Sequence, residues 1–144
     1  MSLRQTFIND AFKFVAFLEN SGDFIFRTAG LTVKTYGVLH LVSTGFDTSK
    51  SLLGGTYGSK PNMAKKLKFL EDGGFVSRSI DSVDRRVFRF RLTQKAVEAI
   101  ERISPAYDAA TALIFLGIPD REIETAIRVL GKCLKNCEGC PKGP

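Results

Sequence analysis

Basic residues are concentrated in one stretch of the chain, between residues 59 and 91. This stretch holds nine of the 21 lysines and arginines but only four of the 15 acidic residues, so the rest of the chain is nearly neutral. A charge surplus gathered in one segment is typical of a surface that binds a polyanion, since a generally basic protein would spread it. The simpler alternative is a solvated charged face without a ligand.

The end of this stretch is predicted to form a basic β-hairpin, or wing. Phe75–Ile80 and Val87–Leu92 are rich in aromatic and β-branched residues, and the Asp, Ser and Arg residues between them favour a turn. Because side chains alternate along a strand, Phe88 and Phe90 fall on one face of the ribbon and Arg89 on the other. Such a ribbon suits binding against a phosphate backbone, so DNA binding is the candidate function.

A lysine-rich helix is predicted just before the wing. Ser59 is a good N-cap, Pro61 suits the first turn, and the helix runs to about Asp72, where Gly73-Gly74 ends it. Its apolar residues recur at spacings of four and three and are predicted to face the core: Met63, Leu67 and Leu70.

The elements before this helix are also predicted to be helical. The first is a helix over 3–20, which Ser21-Gly22-Asp23 ends, and the segment Phe24–Phe26 after it is ambiguous. A second helix runs from Thr32 to Gly45. A short helix over 47–53 follows; Asp47 or Thr48 caps it, and Gly54-Gly55 weakens or ends it. Helix, short helix, turn, basic helix and hairpin, in this order, make a winged helix-turn-helix. The predicted fold class is therefore mainly α with a small β wing.

Two helices are predicted after the wing. Thr93 caps the first, in which Ser104-Pro105 must cause a kink or a break, and Pro119-Asp120 begins the second. Four apolar residues of the second are predicted to face inward: Ile123, Ala126, Ile127 and Leu130. The apolar faces of the first helix and of the two helices after the wing are larger than a small winged domain needs for its core. A second subunit commonly buries such apolar faces. We therefore expect one domain over 1–144, with a winged region over about 31–93 and dimerisation helices over about 3–20 and 94–138 in a homodimer.

Three segments in register resemble the MarR family of transcriptional regulators, the multiple-antibiotic-resistance regulator group. They are Leu31-Thr32 with Tyr36, Val38-Leu39 and Leu41; the run from Leu70 to Arg78; and Asp81, Asp84-Arg85-Arg86 and Arg91-Leu92-Thr93. The resemblance implies a dimeric winged-helix protein that binds pseudo-palindromic duplex DNA, usually as a repressor. Such regulators are often released from the operator by a small phenolic ligand or by oxidation.

The resemblance also implies which residues contact DNA. The recognition helix offers Ser59, Lys60, Asn62, Lys65 and Lys66 to the major groove, and the wing offers Asp84, Arg85 and Arg86. Arg86 would enter the minor groove, with its guanidinium oriented by Asp84. Asn62 could pair with adenine, while the lysines would hold phosphates. The alternative for Asp84 and Arg86 is a turn salt bridge without further function.

The three cysteines near the carboxyl end are candidates for metal or redox chemistry. Cys133, Cys137 and Cys140 form C-x3-C-x2-C, a spacing also found in iron–sulfur enzymes that use S-adenosylmethionine, but here the motif follows a helix and not a barrel loop. An oxidation sensor, or a metal site completed by a second subunit, fits better. Ordinary reduced thiols are the alternative.

A hydrophobic effector cleft is a further expectation from the aromatic content. Phe14, Tyr36 and His40 are candidate effector-binding residues, although core packing explains them with less assumption. No catalytic constellation can be built from the sequence, so we expect no enzyme and no cofactor apart from a small aromatic effector. Without a signal or membrane-spanning stretch, we expect a soluble cytoplasmic protein. A winged-helix module that binds another protein is the main alternative function.

Overall fold

The computed structural model describes residues 1–56 and 58–141. Within them lie six helices and one antiparallel pair of strands: α1 (Leu3–Arg27), α2 (Val33–Ser43), α3 (Ser49–Thr56), α4 (Lys60–Asp72), β1 (Val76–Ile80), β2 (Phe88–Leu92), α5 (Gln94–Ile114) and α6 (Asp120–Glu138). The predicted fold class, mainly α with a small β wing, is confirmed. No helix in the described part of the chain is long and apolar enough to cross a membrane.

The chain divides into two units, residues 1–107 and residues 108–144. The core of the first unit is formed by one apolar cluster to which α1 to α5 and both strands contribute. Its most deeply buried side chains include Leu39 of α2, Leu52 of α3 and Met63 and Leu70 of α4. α2, α3 and α4 are therefore fixed by a shared core, which positions the outward face of α4, where DNA contacts are predicted.

The first helix is longer than the sequence predicts, because Ser21-Gly22-Asp23 does not end it. Gly22 is needed at its position, since a Cβ there would lie 2.8 Å from Cγ2 of Val33. Asp23 acts on the next helix instead: its Oδ1 accepts a hydrogen bond of 3.0 Å from the backbone N–H of Val33, at the start of α2. The ambiguous segment Phe24–Phe26 is helical, and Phe26 is buried.

For Gly54-Gly55 and for Ser104-Pro105 the sequence predicts either an interruption of the helix or a smaller disturbance; the interruption is wrong at both, and the weakening or kink stays a prediction. α3 continues through Gly54-Gly55 to Thr56, and α5 continues through Pro105 without a break. The boundaries around the wing agree with the sequence to within one residue, since β1 begins at Val76 and β2 at Phe88. At Gly55 a Cβ would lie 3.1 Å from Cδ1 of Leu41, so this glycine lets α3 pack closely on α2, and that packing offsets its low helix propensity.

The last helix contradicts the prediction that its apolar residues face inward. No residue of α6 is buried in the described chain, and Ile127 is 64% exposed. Ile123 is half-buried, whereas Ala126 and Leu130 are exposed. The helix begins at Asp120, directly after Pro119, as predicted, and Asp120 and Glu122 place negative charge in its first turn.

Candidate nucleic-acid interface

The outward face of α4 carries polar side chains because its other face is fixed in the core. Ser59 caps the helix, and its hydroxyl oxygen accepts a hydrogen bond of 3.3 Å from the backbone N–H of Asn62. Met63, Leu67 and Leu70 are buried, as the spacing predicts. The remaining faces present the residues predicted to contact DNA: Ser59, Lys60, Asn62 and Lys65, which are exposed, and Lys66, which is half-buried.

The lysines of α4 differ in whether they have a carboxylate partner. Lys68 Nζ lies 3.0 Å from Oδ2 of Asp72, one turn further along the helix. Among the residues that the structure describes, Lys60, Lys65 and Lys66 form no ion pair. These three ammonium groups are hydrated point charges on flexible stems, and they are free to meet an anion from outside.

The pairing of the wing places Arg89 and Arg91 on one face and the apolar residues on the other, where Arg78 also lies, opposite Phe90 and with its guanidinium 4.3 Å from the centre of the Phe88 ring. Val76 lies opposite Leu92 and Ile80 opposite Phe88. Val76 and Phe90 are buried, so one face of the ribbon packs on the core. Arg91 is exposed and Arg89 half-buried on the other face, as strand alternation predicts.

The turn of the wing is organised by Asp81. Its Oδ2 accepts hydrogen bonds from the backbone N–H groups of Val83 at 3.0 Å and Asp84 at 2.9 Å, and its Oδ1 accepts one from Nε of Arg89. These donors, the Asp84 amide first, lower the pKa of Asp81 from 3.8 to about 2. The carboxylate is therefore ionised at neutral pH and holds the turn in shape.

Arg86 lies at the tip of this turn and is held by Asp84. Its Nε donates to Oδ1 of Asp84 at 3.1 Å and its Nη2 donates to Oδ2 at 3.3 Å, while the backbone N–H of Arg86 donates to Oδ1 at 3.0 Å. The guanidinium is the main cause that lowers the pKa of Asp84. The Arg86 side chain is still 92% exposed. The predicted pairing is confirmed, and the minor-groove contact stays a prediction.

A second arginine of the wing joins it to the rest of the winged region. Arg89 Nη1 donates to both carboxylate oxygens of Asp47, at 2.9 and 2.8 Å, while its Nε donates to Asp81. The backbone N–H of Phe90 also donates to the carbonyl of Asp47 at 2.7 Å. Asp47 is thus a wing anchor and not the cap of α3; Thr48 caps that helix, with Oγ1 accepting from the N–H of Ser51 at 3.1 Å. The sequence did not predict this Asp47–Arg89–Asp81 bridge, because Asp47 lies 42 residues from Arg89 in the chain.

A groove of about 740 Å³ lies beside the recognition helix. α2, α3 and α4 line it, and the lining brings His40 together with Asn62, Lys65 and Lys66. The predicted effector residues are not brought together: the Tyr36 ring stacks on Phe26 with centroids 4.6 Å apart, and Phe14 is exposed on α1. An effector role for Phe14, Tyr36 and His40 stays a prediction.

The cysteines are exposed at the end of α6 and just after it. Cys133 and Cys137 are one turn apart, and the Cys140 thiol lies 3.6 Å from the carbonyl oxygen of Asn136. Within residues 1–56 and 58–141, no group of three or more His, Cys, Asp or Glu side chains is placed to hold a metal ion. The thiols are accessible, and their metal or redox role stays a prediction.

Solved structures with the same fold are transcriptional regulators. No protein-family model matches the sequence. A MarR/EmrR family transcriptional regulator from Acinetobacter sp. ADP1 has a TM-score of 0.84 at 13% identity, covering 97% of this chain and 100% of that one. The M. tuberculosis transcriptional regulator MOSR, solved in complex with DNA, has a TM-score of 0.74 at 21% identity, covering 95% of this chain and 98% of its own.

A third similar structure is the organohalide-sensing transcriptional regulator RdhR in its 2,4-dichlorophenol-bound form. It has a TM-score of 0.79 at 14% identity and covers 94% of this chain and 82% of its own. The chain has the winged-helix fold of MarR-family transcriptional regulators, as the resemblance in the sequence implies. At these identities the likeness establishes the fold, and the activity must be argued from the chain's own residues.

Proposed function

We propose that this protein is a homodimeric transcription regulator that binds pseudo-palindromic duplex DNA and acts as a repressor. The observation that carries the proposal is the pairing of two kinds of cation on neighbouring elements. Unpaired lysines lie along the exposed face of α4, and a carboxylate-held arginine stands at the exposed tip of the wing. Unpaired ammonium groups suit phosphate neutralisation, and a restrained guanidinium suits insertion into a narrow groove.

The recognition helix would enter the major groove. Lys60, Lys65 and Lys66 would hold phosphates, since a flexible ammonium group neutralises charge without reading sequence. Asn62 can donate and accept at once and so could pair with adenine. Ser59, whose hydroxyl caps the helix, would place the first turn against the backbone.

The wing would contribute the minor-groove contact. Arg86 is the residue of choice because Asp84 already restricts its guanidinium, so less conformational entropy is lost on insertion. Arg85 is exposed beside it and forms no ion pair within the described residues, which suits a phosphate contact.

The proposal of a homodimer rests on exposed apolar helix faces. Ile127, Leu130 and Leu134 of α6 remain at least two-fifths exposed, and Phe7 and Phe12 of α1 are also exposed. Soluble monomers rarely leave such stripes uncovered. A two-fold dimer would present two recognition helices to half-sites about one helical turn apart.

Control by a small effector or by thiol chemistry is a further part of the proposed function. RdhR, which shares the fold, was solved with a chlorinated phenol, and a small aromatic ligand is therefore also our proposal for this chain. Oxidation of Cys133, Cys137 and Cys140, or metal binding between two copies, is a separate proposal. Peroxide or zinc should change duplex affinity in the wild type and leave it unchanged when all three are replaced by serine.

The proposed function is tested by selecting bound duplexes from a random DNA pool and measuring the mass of the protein in solution. We expect enrichment of an inverted repeat with half-sites about 10 base pairs apart and a mass of two chains. Failure to enrich any duplex at low salt would leave the protein-interaction module as the better account. A monomer bound to a single half-site would contradict the dimeric part.

A further inference from the structure

The distal half of the wing carries apolar side chains that the core does not use. Val76 and Phe90, near the base of the ribbon, are buried. Further out, Ile80 is 55% exposed, and Phe88, its direct partner across the ribbon, is 40% exposed. Val83, in the turn, is 92% exposed. These last three residues, Ile80, Val83 and Phe88, form the apolar strip of the wing.

Turn chemistry does not explain Val83. Turns favour Gly, Asn, Asp, Ser and Pro, and a side chain as exposed as this one adds nothing to the core. Its backbone is nevertheless held, because its N–H donates to Oδ2 of Asp81 at 3.0 Å and Asp81 also accepts from Nε of Arg89. A branched side chain has few rotamers of its own. The turn therefore presents a stiff apolar group that can meet a partner with little loss of entropy.

The charges around the apolar strip favour an anionic partner. Both carboxylates of the turn are already paired, Asp81 with Arg89 and Asp84 with Arg86. Arg85, in the same turn, is exposed and forms no ion pair within the described residues. A basic surface would therefore find no free carboxylate in the turn, whereas an anionic surface would find an unpaired arginine.

Arginine borders the apolar strip at both of its ends. The Arg78 guanidinium lies 4.3 Å from the centre of the Phe88 ring, and Arg86 follows Val83 by three residues in the turn. A fitting partner is thus apolar in the middle and negative on both sides. Duplex DNA offers this arrangement at every nucleotide, since the C–H groups of each deoxyribose lie between two phosphates.

We infer that the apolar strip packs on deoxyribose at the edge of the minor groove, beside the point where Arg86 enters it. This inference rests on the proposed function and adds to it a contact without charge. Burial of the strip supplies affinity through the hydrophobic effect, which does not depend on counterion release. Part of the affinity for duplex DNA is therefore independent of salt.

Threonine substitutions remove the apolar contact and keep the branched shape of the side chains. A double variant, Ile80→Thr with Val83→Thr, should bind the selected duplex about tenfold more weakly at every salt concentration. The slope of log affinity against log salt should equal that of the wild type, because no charge is lost. Calorimetry should show a less negative heat-capacity change of binding. In the control Ser77→Thr, threonine lies on the opposite face of β1, and all three quantities should stay unchanged.

Single ribonucleotides test the sugar contact itself. A ribose adds a 2′-hydroxyl to the minor-groove side of a duplex. The nucleotides of the selected duplex are replaced one at a time, and at the positions nearest the wing the replacement should weaken the wild type severalfold. The same replacement should cost the double variant nothing further. An equal ribose penalty in both proteins would place the contact elsewhere and overturn the inference.

The other outcomes separate this inference from the proposed function. Far-UV circular dichroism shows whether the variants are folded, and Val83→Thr alone, at the most exposed position of the strip, should give part of the loss. If the folded double variant binds duplex as tightly as the wild type, the inference fails, the proposed function stands and the strip is left for a protein partner. A changed salt slope would also overturn the inference, because the loss would then come from displaced charge. If no duplex binds the wild type even at low salt, both fail.

Discussion

The recognition helix and the wing are both basic, but their cations are held in different ways. On α4, Lys60, Lys65 and Lys66 have no carboxylate partner within the described residues. On the wing, Arg86 is fixed by Asp84 and Arg89 by two carboxylates. These three lysines therefore offer mobile charge, and Arg86 and Arg89 offer charge whose direction is restrained by carboxylates, whereas Arg85 of the wing forms no ion pair within the described residues.

This difference indicates a division of work between the two elements. A lysine side chain is flexible, so its ammonium group can reach a phosphate in several positions. Neutralising the phosphate releases counterions, which gives affinity and makes that affinity depend on salt. A guanidinium held by a carboxylate has lost part of its freedom before it meets a ligand, which suits a narrow groove. Replacing side chains on each element should separate the two contributions.

The largest effect is expected when the mobile charge is removed. Lys60→Gln, Lys65→Gln and Lys66→Gln in one variant would remove six phosphate contacts from a dimer. Duplex affinity at low salt should fall on the order of a thousandfold, and the slope of log affinity against log salt should become less steep by about five. Fluorescence anisotropy at several salt concentrations measures both. A slope equal to that of the wild type would show that these lysines do not meet phosphates.

Removing the directed charge should have a smaller effect that depends on sequence. Arg86→Ala should weaken the selected duplex by about tenfold to a hundredfold. Its neighbour provides the control: Arg85→Ala removes the same charge without a carboxylate partner and should cost less. Arg86→Lys should fall between the two alanine variants, because it keeps the charge but loses the fork-shaped contact with Asp84. Equal losses of duplex affinity for Arg85→Ala and Arg86→Ala would show that the pairing of Arg86 with Asp84 makes no difference to DNA binding.

The outer face of α4 and the two faces of the second wing strand could be predicted from the sequence because short-range rules determine them. Ser59 and Pro61 fix the start of α4, and the spacing of Met63 and Leu67 fixes its inward face. Strand alternation gives the two faces of the wing, and the Asp84–Arg86 pair lies within one turn.

The longer-range features could not be predicted, because they depend on residues that meet only after folding. Gly22 and Asp23 read as a helix end, yet Val33 of the next helix packs on the glycine and its N–H is capped by the aspartate. The sequence leaves the cap of α3 open between Asp47 and Thr48; Thr48 is the cap, and Asp47 pairs with Arg89, 42 residues away. No local pattern marks either partner.

The Asp47–Arg89–Asp81 bridge offers a way to loosen the wing without touching its tip. Arg89→Met should leave two carboxylates without their shared partner and free the turn. Hydrogen exchange of the Asp84 and Val87 amides should accelerate several-fold, with a loss of duplex affinity smaller than that of Arg86→Ala. Unchanged exchange rates would show that the backbone of the turn does not need this bridge.

The smallest effect is expected on titration of the turn. The pKa of Asp81 is lowered from 3.8 to about 2, so its contribution to folding is present above pH 3.8 and is lost as the pH falls towards 2. NMR titration of the Asp81 carboxyl carbon should give a midpoint near the lower value. In Arg89→Met the midpoint should rise, although the amides of Val83 and Asp84 still lower it. A wild-type midpoint at the ordinary value would contradict the hydrogen bonding of the turn.

The most direct measurement of the central claim is the affinity of the wild-type protein for its selected duplex between 50 and 200 mM salt. If α4 and the wing of two subunits neutralise about six to ten phosphates, affinity should fall by about 10³- to 10⁵-fold over this range. An affinity that is negligible at 50 mM, or that hardly changes by 200 mM, would contradict DNA binding by these two elements.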